Sequence, residues 1–227
     1  MGFGDIIPSD NLGRVVILAV LLPLFNIIPH EISVLTELMD KQSKYSAPFR
    51  GGVAPHVVVC GDVSYSTVLA FLQEFFHPDH GDQLMKVVFL SPQEPSSAIE
   101  GLMTSSLFGD KTQYVLGTPL STADLNRVDI TRAAAVFILT SPFKPDVAYR
   151  DATAILMVQS IRTVSPWTQV FCQVVNAEAR RHEWAQWDHL LCLQELRMGI
   201  LAKSAVCPGF STLISNLIMS STDFDAS

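Results

Sequence analysis

Apolar residues fall into three patterns along the chain. The first is an uncharged run, Val15 to Ile28 (VVILAVLLPLFNII), preceded by Gly2-Phe3-Gly4-Asp5 and followed by a charged tail. Extended by Leu12 to Arg14 and by the tail to Ser33, it predicts a helix of about 22 residues, roughly 33 Å long at 1.5 Å per residue and enough for a bilayer core. Two readings stand. One is a membrane span; the other is a buried core helix, because the uncharged part is short and contains Pro23 and Asn26. Pro23 removes the backbone bond to Ala19 and Pro29 the bond to Phe25, so a bend is expected in the second half of the helix. At membrane depth the freed carbonyls need partners in neighbouring helices or in a water-filled cavity, which makes the two prolines candidate gating hinges of a pore-lining helix. Asn26 is then either hydrated in that cavity or held in a helix contact.

The second pattern is polar. Lys41 to Pro55 (KQSKYSAPFRGGVAP) is rich in Gly, Pro and Ser and reads as a tethering linker. The third pattern begins at His56, where short continuous apolar runs alternate with amphipathic segments. Strands are expected at His56 to Cys60, Lys86 to Leu90, Gln113 to Leu116, Ala135 to Leu139, Gln169 to Val174 and Leu190 to Leu193. Helices are expected between them: Ser64 to Phe76, near Ser97 to Met103, a short one after a Ser121 cap, about Asp146 to Val164, and Ala177 to Trp184. Six strands separated by helices predict a parallel, doubly wound sheet of Rossmann type. With the membrane reading of the first run, the fold class is α/β: one N-terminal transmembrane helix followed by a Rossmann-like domain.

Composition changes this picture in two ways. At 48% hydrophobic and 16% charged residues the chain is more apolar than an ordinary soluble domain, and a membrane segment accounts for part of the excess. A net charge of −7 excludes the basic footprint of a nucleic-acid binder. The positive charges Lys41, Lys44 and Arg50 follow the apolar run, against Arg14 alone before it, which puts the C-terminal part in the cytoplasm. Asp5 and Asp10 ahead of the run and Pro29-His30-Glu31 behind it exclude a secretory signal. Cys60, Cys172, Cys192 and Cys207 lack CxxC spacing and lie in apolar patterns, so free buried thiols of a reducing compartment are expected.

Candidate chemistry is sparse. The first strand enters a glycine turn, Gly61-Asp62-Val63-Ser64-Tyr65-Ser66, but only the first glycine of a dinucleotide fingerprint is present. Asp62 would repel phosphate, and no acid closes the second strand at Ser91, so no tightly bound cofactor is expected. His182, His189, Cys192 and Cys207 lack zinc-ligand spacing, and Trp184 and Trp187 read as covers of the sheet edge. No nucleophile and base can be paired by spacing, which argues against an enzyme. Asp146 and Asp151 stand in the first turns of the long helix at the carboxyl edge of the sheet. Helix capping explains them without a ligand; a hard-cation site is the alternative, for which two carboxylates are too few alone.

Taken together, these stretches resemble a known family. Gly2-Phe3-Gly4-Asp5 looks like the end of a potassium-channel selectivity filter, T-V-G-Y/F-G-D, and Leu12-Gly13-Arg14 is similar to the opening of the inner helix behind it. His56-Val57-Val58-Val59-Cys60-Gly61 looks like the entry to an RCK domain. Further similarity to the large-conductance, calcium-activated (Slo, BK-type) channels lies in Val88 to Leu90, Gly117 to Val128, Ile138 to Ala152, Leu191 to Ala202 and Gly209 to Leu217. The resemblance implies an end of the filter at 1–8, an inner pore helix at 9–40, a linker at 41–55, the N-terminal RCK domain at 56–193 and crossover helices at 194–227.

It also implies roles. Gly2, Phe3 and Gly4 would offer carbonyls to permeant K⁺, with Asp5 bracing the filter. Asp146 and Asp151 match the two aspartates of the RCK calcium site, making Ca²⁺ the expected regulatory ligand. A homotetramer through the pore and an RCK gating ring is implied, in the membrane, with the RCK part cytoplasmic. Two departures are visible. The upstream filter residues and pore helix do not precede Met1, as expected of a fragment, and Leu22-Pro23-Leu24 in place of a Gly-Gly hinge is more like the sodium-activated relatives.

Overall fold

The computed structural model describes residues 10–43, 45–49, 55–80, 84–140, 146–176 and 189–218. The chain divides into two compact units between Lys44 and Tyr45. In the first, helix α1 runs from Asn11 to Ser43, 33 residues with Pro23 and Pro29 inside it. It is thus longer at its C-terminal end than the apolar run alone predicts. Among the described residues no helix is long and apolar enough to cross a membrane, so the expected span is not met by α1 as a free-standing segment. Arg14, His30 and Glu31 flank the apolar part, and the added length mixes Val34, Leu35, Leu38 and Met39 with Thr36, Glu37 and Asp40 to Ser43.

The second unit is built on a six-stranded sheet. Its strands are β1 (His56–Gly61), β2 (Lys86–Ser91), β3 (Thr112–Leu116), β4 (Ala135–Leu139), β5 (Gln169–Val174) and β6 (His189–Cys192). They lie in the order β3-β2-β1-β4-β5-β6, and every neighbouring pair is parallel. Helices α2 (Tyr65–Phe75), α3 (Ser97–Thr104), α4 (Thr122–Arg127) and α5 (Val147–Val164) connect the strands, and α6 (Leu193–Val206) and α7 (Phe210–Ile218) follow. The expected helix Ala177 to Trp184 falls outside the described residues.

The continuous apolar runs are explained by burial on both faces. On one face Val57, Val59, Val87 and Phe89 pack with Val68 and Leu72 of α2 and Ile99 of α3. On the other, Val58, Cys60, Val88, Leu90, Val136 and Ile138 pack with Leu125 of α4 and Val158 and Ile161 of α5. Alternate residues of one strand serve opposite cores, as the two-residue strand period requires. The thiols of Cys60, Cys172 and Cys192 are buried in this way, whereas Cys207 is exposed, contrary to the expectation for all four. Cys207 follows the last turn of α6, outside both cores.

Helix starts follow from local chemistry. The Ser96 hydroxyl accepts from Ile99 N and the Ser121 hydroxyl from Asp124 N, each at 3.4 Å, which places α3 and α4 where their caps allow.

At the end of β1, Gly61 has φ +96° and lies against β4, so that an added Cβ would stand 2.2 Å from the Leu139 carbonyl oxygen. Only glycine satisfies both demands. Gly61→Ala is expected to lower the unfolding free energy by about 2 kcal/mol or more. Gly101→Ala, in the interior of α3 with nothing within 4 Å, should be neutral or raise it by up to about 1 kcal/mol. Denaturant titration of the two variants in detergent checks the contrast.

Candidate functional site

Three features are candidates for function. The first is α1. Val15, Val16, Ile17 and Leu18 are all exposed, and four consecutive helical positions cover the whole circumference at 3.6 residues per turn. Leu22, Phe25, Ile27 and Ile28 continue this all-round apolar surface. Pro23 and Pro29 both lie within it. Gly2, Phe3, Gly4 and Asp5, and the side chain of Asn26, fall outside the described residues.

The second feature is a clamp on the middle of the linker. Tyr45 to Phe49 lie on the second unit, where the sequence reads as a plain tether. Tyr45 O accepts from Leu116 N at 2.8 Å, its hydroxyl donates to Glu100 Oε1, and its ring meets Tyr114 edge-on at 5.5 Å. Arg127 gathers the rest. Its Nη2 donates to Ser46 O at 2.7 Å, and its Nη1 donates to Leu116 O at 3.0 Å and to Asp124 Oδ1 at 2.8 Å. The Arg127 carbonyl accepts from Phe49 N at 2.8 Å. Asp124 is itself held by Thr118 N at 3.0 Å. The Phe49 ring lies 4.4 Å from the His56 ring, and His56 Nε2 donates to Val128 O at 2.9 Å. Burial lowers the His56 pKa below 6.5; the Val128 bond and the Asp129 charge oppose that shift, and Arg132 adds to it.

The third feature is the carboxyl edge of the sheet around α5. Asp146 sits at φ 64° and caps α5 by accepting from Tyr149 N at 3.2 Å, which is the capping arrangement. Asp151 is only 5% exposed; its Oδ1 accepts from Val175 N at 3.0 Å and its Oδ2 from Asn176 N at 2.9 Å. It therefore latches the chain leaving β5 onto α5. Its charge, after burial, helps push the Cys172 thiol up to about 12. That thiol is inert at neutral pH. Among the described residues no group of three or more His, Cys, Asp or Glu is placed to hold a metal.

The residues weighed for zinc are dispersed. His189 stacks on Phe171 at 4.6 Å, Cys192 Sγ points to Val175 O at 3.5 Å, and His182, Trp184 and Trp187 lie outside the described residues. The glycine turn is used internally: Asp62 N donates to Leu139 O at 2.8 Å. Beside it, a cleft of about 190 Å³ opens between the ends of β1 and β4 and the first turns of α5.

Residues 52–172, spanning the clamp's anchors and the sheet as far as β5, match the family model of the calcium-activated potassium channel slowpoke-like RCK domain. The chain belongs to this family. Residues 188–226 also match the model of the calcium-activated BK potassium channel alpha subunit. Among curated relatives of the slowpoke-like chain, it is 30% identical over 227 residues to potassium channel subfamily U member 1 of Rattus norvegicus. It is 32% identical over 225 residues to calcium-activated potassium channel slowpoke of Drosophila melanogaster. Each alignment covers 96% of this chain but 20% and 19% of the relative; the chain spans about a fifth of the length of the relatives it matches.

Among solved structures, the human SLO3 gating ring superposes with TM-score 0.59 at 23% identity, over 76% of this chain and 30% of that one. GsuK bound to ADP gives TM-score 0.51 at 15% identity, over 89% and 51%. Both likenesses speak to the fold.

Arg127, Asp151 as a latch and the docked Tyr45 to Phe49 segment are absent from the sequence expectations. The one local signal is the Asp124/Arg127 pair, i and i+3 on a short helix, inside a stretch that resembles the family.

Arg127→Ala should speed hydrogen exchange at the Phe49 and Leu116 amides about tenfold while leaving Val58 and Val136 unchanged, since a bond to a charged group is worth about 1.5 kcal/mol. A folded-state pKa below 6.5 for His56 means that the unfolded chain takes up a proton the folded chain refuses. Its contribution to stability is complete above pH 6.5 and is lost progressively as the pH falls below that value. Denaturant titrations from pH 7.5 to 5.5 should show this decline, and His56→Gln should flatten it.

Proposed function

We propose that this chain is the pore-lining and gating segment of a calcium-activated potassium channel, acting in a homotetramer at the plasma membrane with its RCK unit in the cytoplasm. The observation that carries the reading is α1: its apolar surface between Val15 and Ile28 goes all the way round, and only Lys44 separates the helix in sequence from a clamp on a slowpoke-like RCK domain. A helix apolar on every side is stable only inside a core or in lipid, and neighbouring helices of a fourfold pore would supply partners for the carbonyls freed by Pro23 and Pro29. These prolines are the proposed hinges. Gly2, Phe3 and Gly4 would complete a filter for K⁺, braced by Asp5.

Ca²⁺ is the proposed regulatory ligand, with Asp146 and Asp151 among its ligands. The exposed Asp146 carboxylate uses one of its acceptor positions for the cap, and a carboxylate has about four. Asp151 joins the same edge through β5. Binding opens the pore only if Ca²⁺ prefers one of two arrangements of a gating ring, and the Tyr45 to Phe49 clamp is the route by which such a change pulls on α1. The exposed Leu196, Leu201, Leu213 and Leu217 of α6 and α7 suit these helices to pairing between RCK units. Activation by Na⁺ is the second reading, favoured by Leu22-Pro23-Leu24.

Two experiments test this. The expressed chain should sediment with membranes and come into solution only with detergent; recovery in the soluble fraction without detergent rejects the pore reading. In patch recordings of the channel that contains this chain, micromolar Ca²⁺ should open the pore. Asp146→Ala should shift the calcium response to higher concentration while costing only the cap, about 1 kcal/mol. Asp151→Ala should shift it and also destabilise the RCK unit by about 2 kcal/mol, because two part-buried N–H groups lose their acceptor. Opening by Na⁺ alone, with both variants unchanged, favours the second reading.

A further inference from the structure

The cleft between β1 and β4 holds an unexplained cation. Arg150, in the first turn of α5, lines it together with Gly61, Asp62, Leu139, Thr140 and Met157. Arg150 Nε donates to Asp146 O at 3.4 Å, but its Nη1 and Nη2 are buried and have no hydrogen-bond partner among the described residues. A guanidinium keeps its charge at any physiological pH, so these donors cannot be silenced by losing a proton. Burying them unbonded is unfavourable unless something else enters the cleft.

Of the other polar groups of the cleft, the Tyr149 side chain is largely exposed, and the threonines and the Asp62 amide are already committed. The Thr140 hydroxyl donates to Gln173 O at 3.1 Å, and the Thr153 hydroxyl to Tyr149 O at 2.8 Å. Asp62 N donates to Leu139 O. The remaining buried donors are the two ends of one planar fork, set beside the N-terminus of an 18-residue helix whose dipole also favours negative charge. Ile138, Leu139, Ala154 and Met157 give the cleft an apolar wall. A planar fork of this kind matches an oxyanion through two parallel bonds.

We infer that the β1/β4 cleft is a binding site for a small monocarboxylate, held bidentately by Arg150. A volume of about 190 Å³ suits a ligand of a few heavy atoms, and acidic Asp62 on the β1 side disfavours multiply charged anions. The site is separate from the calcium reading, since it requires the opposite charge and uses neither the Asp146 nor the Asp151 carboxylate. It would stand if no channel activity were ever recorded.

The test is titration calorimetry and thermal unfolding of the purified full chain in detergent, with sodium phosphate, sodium lactate and ADP at constant ionic strength set by chloride. Lactate should bind and raise the unfolding temperature above the chloride control, and phosphate should not. Arg150→Gln should weaken that binding at least tenfold. Arg150→Lys, which keeps the charge and loses the fork, should also weaken it about tenfold, and it decides the matter if the Gln variant does not fold. Failure of lactate to bind overturns the inference, as does tighter binding of phosphate, or binding by both variants as tight as by the unsubstituted chain. A response to ADP alone overturns it too, because that would move the site to the glycine turn.

Discussion

A parallel sheet covered on both faces has no row of side chains facing water, and that constraint organises everything else in the second unit. Val57 and Val59 serve one core while Val58 and Cys60 serve the other, so the middle of β1 is closed to a ligand on both faces. What the domain does must happen where strands end. The carboxyl edge is where β1 and β4 diverge toward opposite sides of the sheet, and it is there that Gly61 bends back against Leu139 and α5 begins. Ligands of open α/β sheets enter at this divergence because backbone connections leave it on both sides.

The charged residues near that edge are bound mainly to backbone. Asp151 holds two amides beyond β5, Asp146 caps α5, and Arg127 on the opposite side of β3 collects the carbonyls of Ser46 and Leu116. A buried charge is tolerated when hydrogen bonds replace its hydration, and here each replacement ties a connecting segment to the sheet. These acids and bases therefore fix where loops go. A ligand drawn to one of them would have to compete with, or move, the segment it holds, which is a physical basis for coupling binding to motion.

This division explains what was legible in the residues. Strands buried on both faces are written as uninterrupted runs such as HVVVC and KVVFL, and all six were readable within about a residue at each end. Caps at Ser121 and Asp146 are local, and they were visible too. The clamp was not, because Arg127 reaches across 81 residues to Ser46, and its targets are carbonyls that every residue carries. Asp151 escaped for the same reason: its partners are amides 24 and 25 residues away. The end of α1 was missed differently. Apolar residues stop at Met39 and Asp40 to Ser43 are all polar, so Lys41 to Ser43 read as linker although they are helical.

The same clamp bears on how force could pass between the units. A flexible tether stretches before it transmits, since its ends are related only by chain entropy and lengthening it costs little. Here the compliant length is shortened, because Tyr45 is joined to the β3 edge through Leu116, Glu100 and Tyr114 and Phe49 is held by Arg127 and His56. A shift of α4 relative to β3 would move these anchors with it. With the tether's far end fixed in that way, a displacement of the RCK unit reaches the start of the linker without first being absorbed in Tyr45 to Phe49. The stiffness of a gating connection would then depend on a handful of bonds centred on Arg127 more than on the Gly and Pro content of the segment that follows.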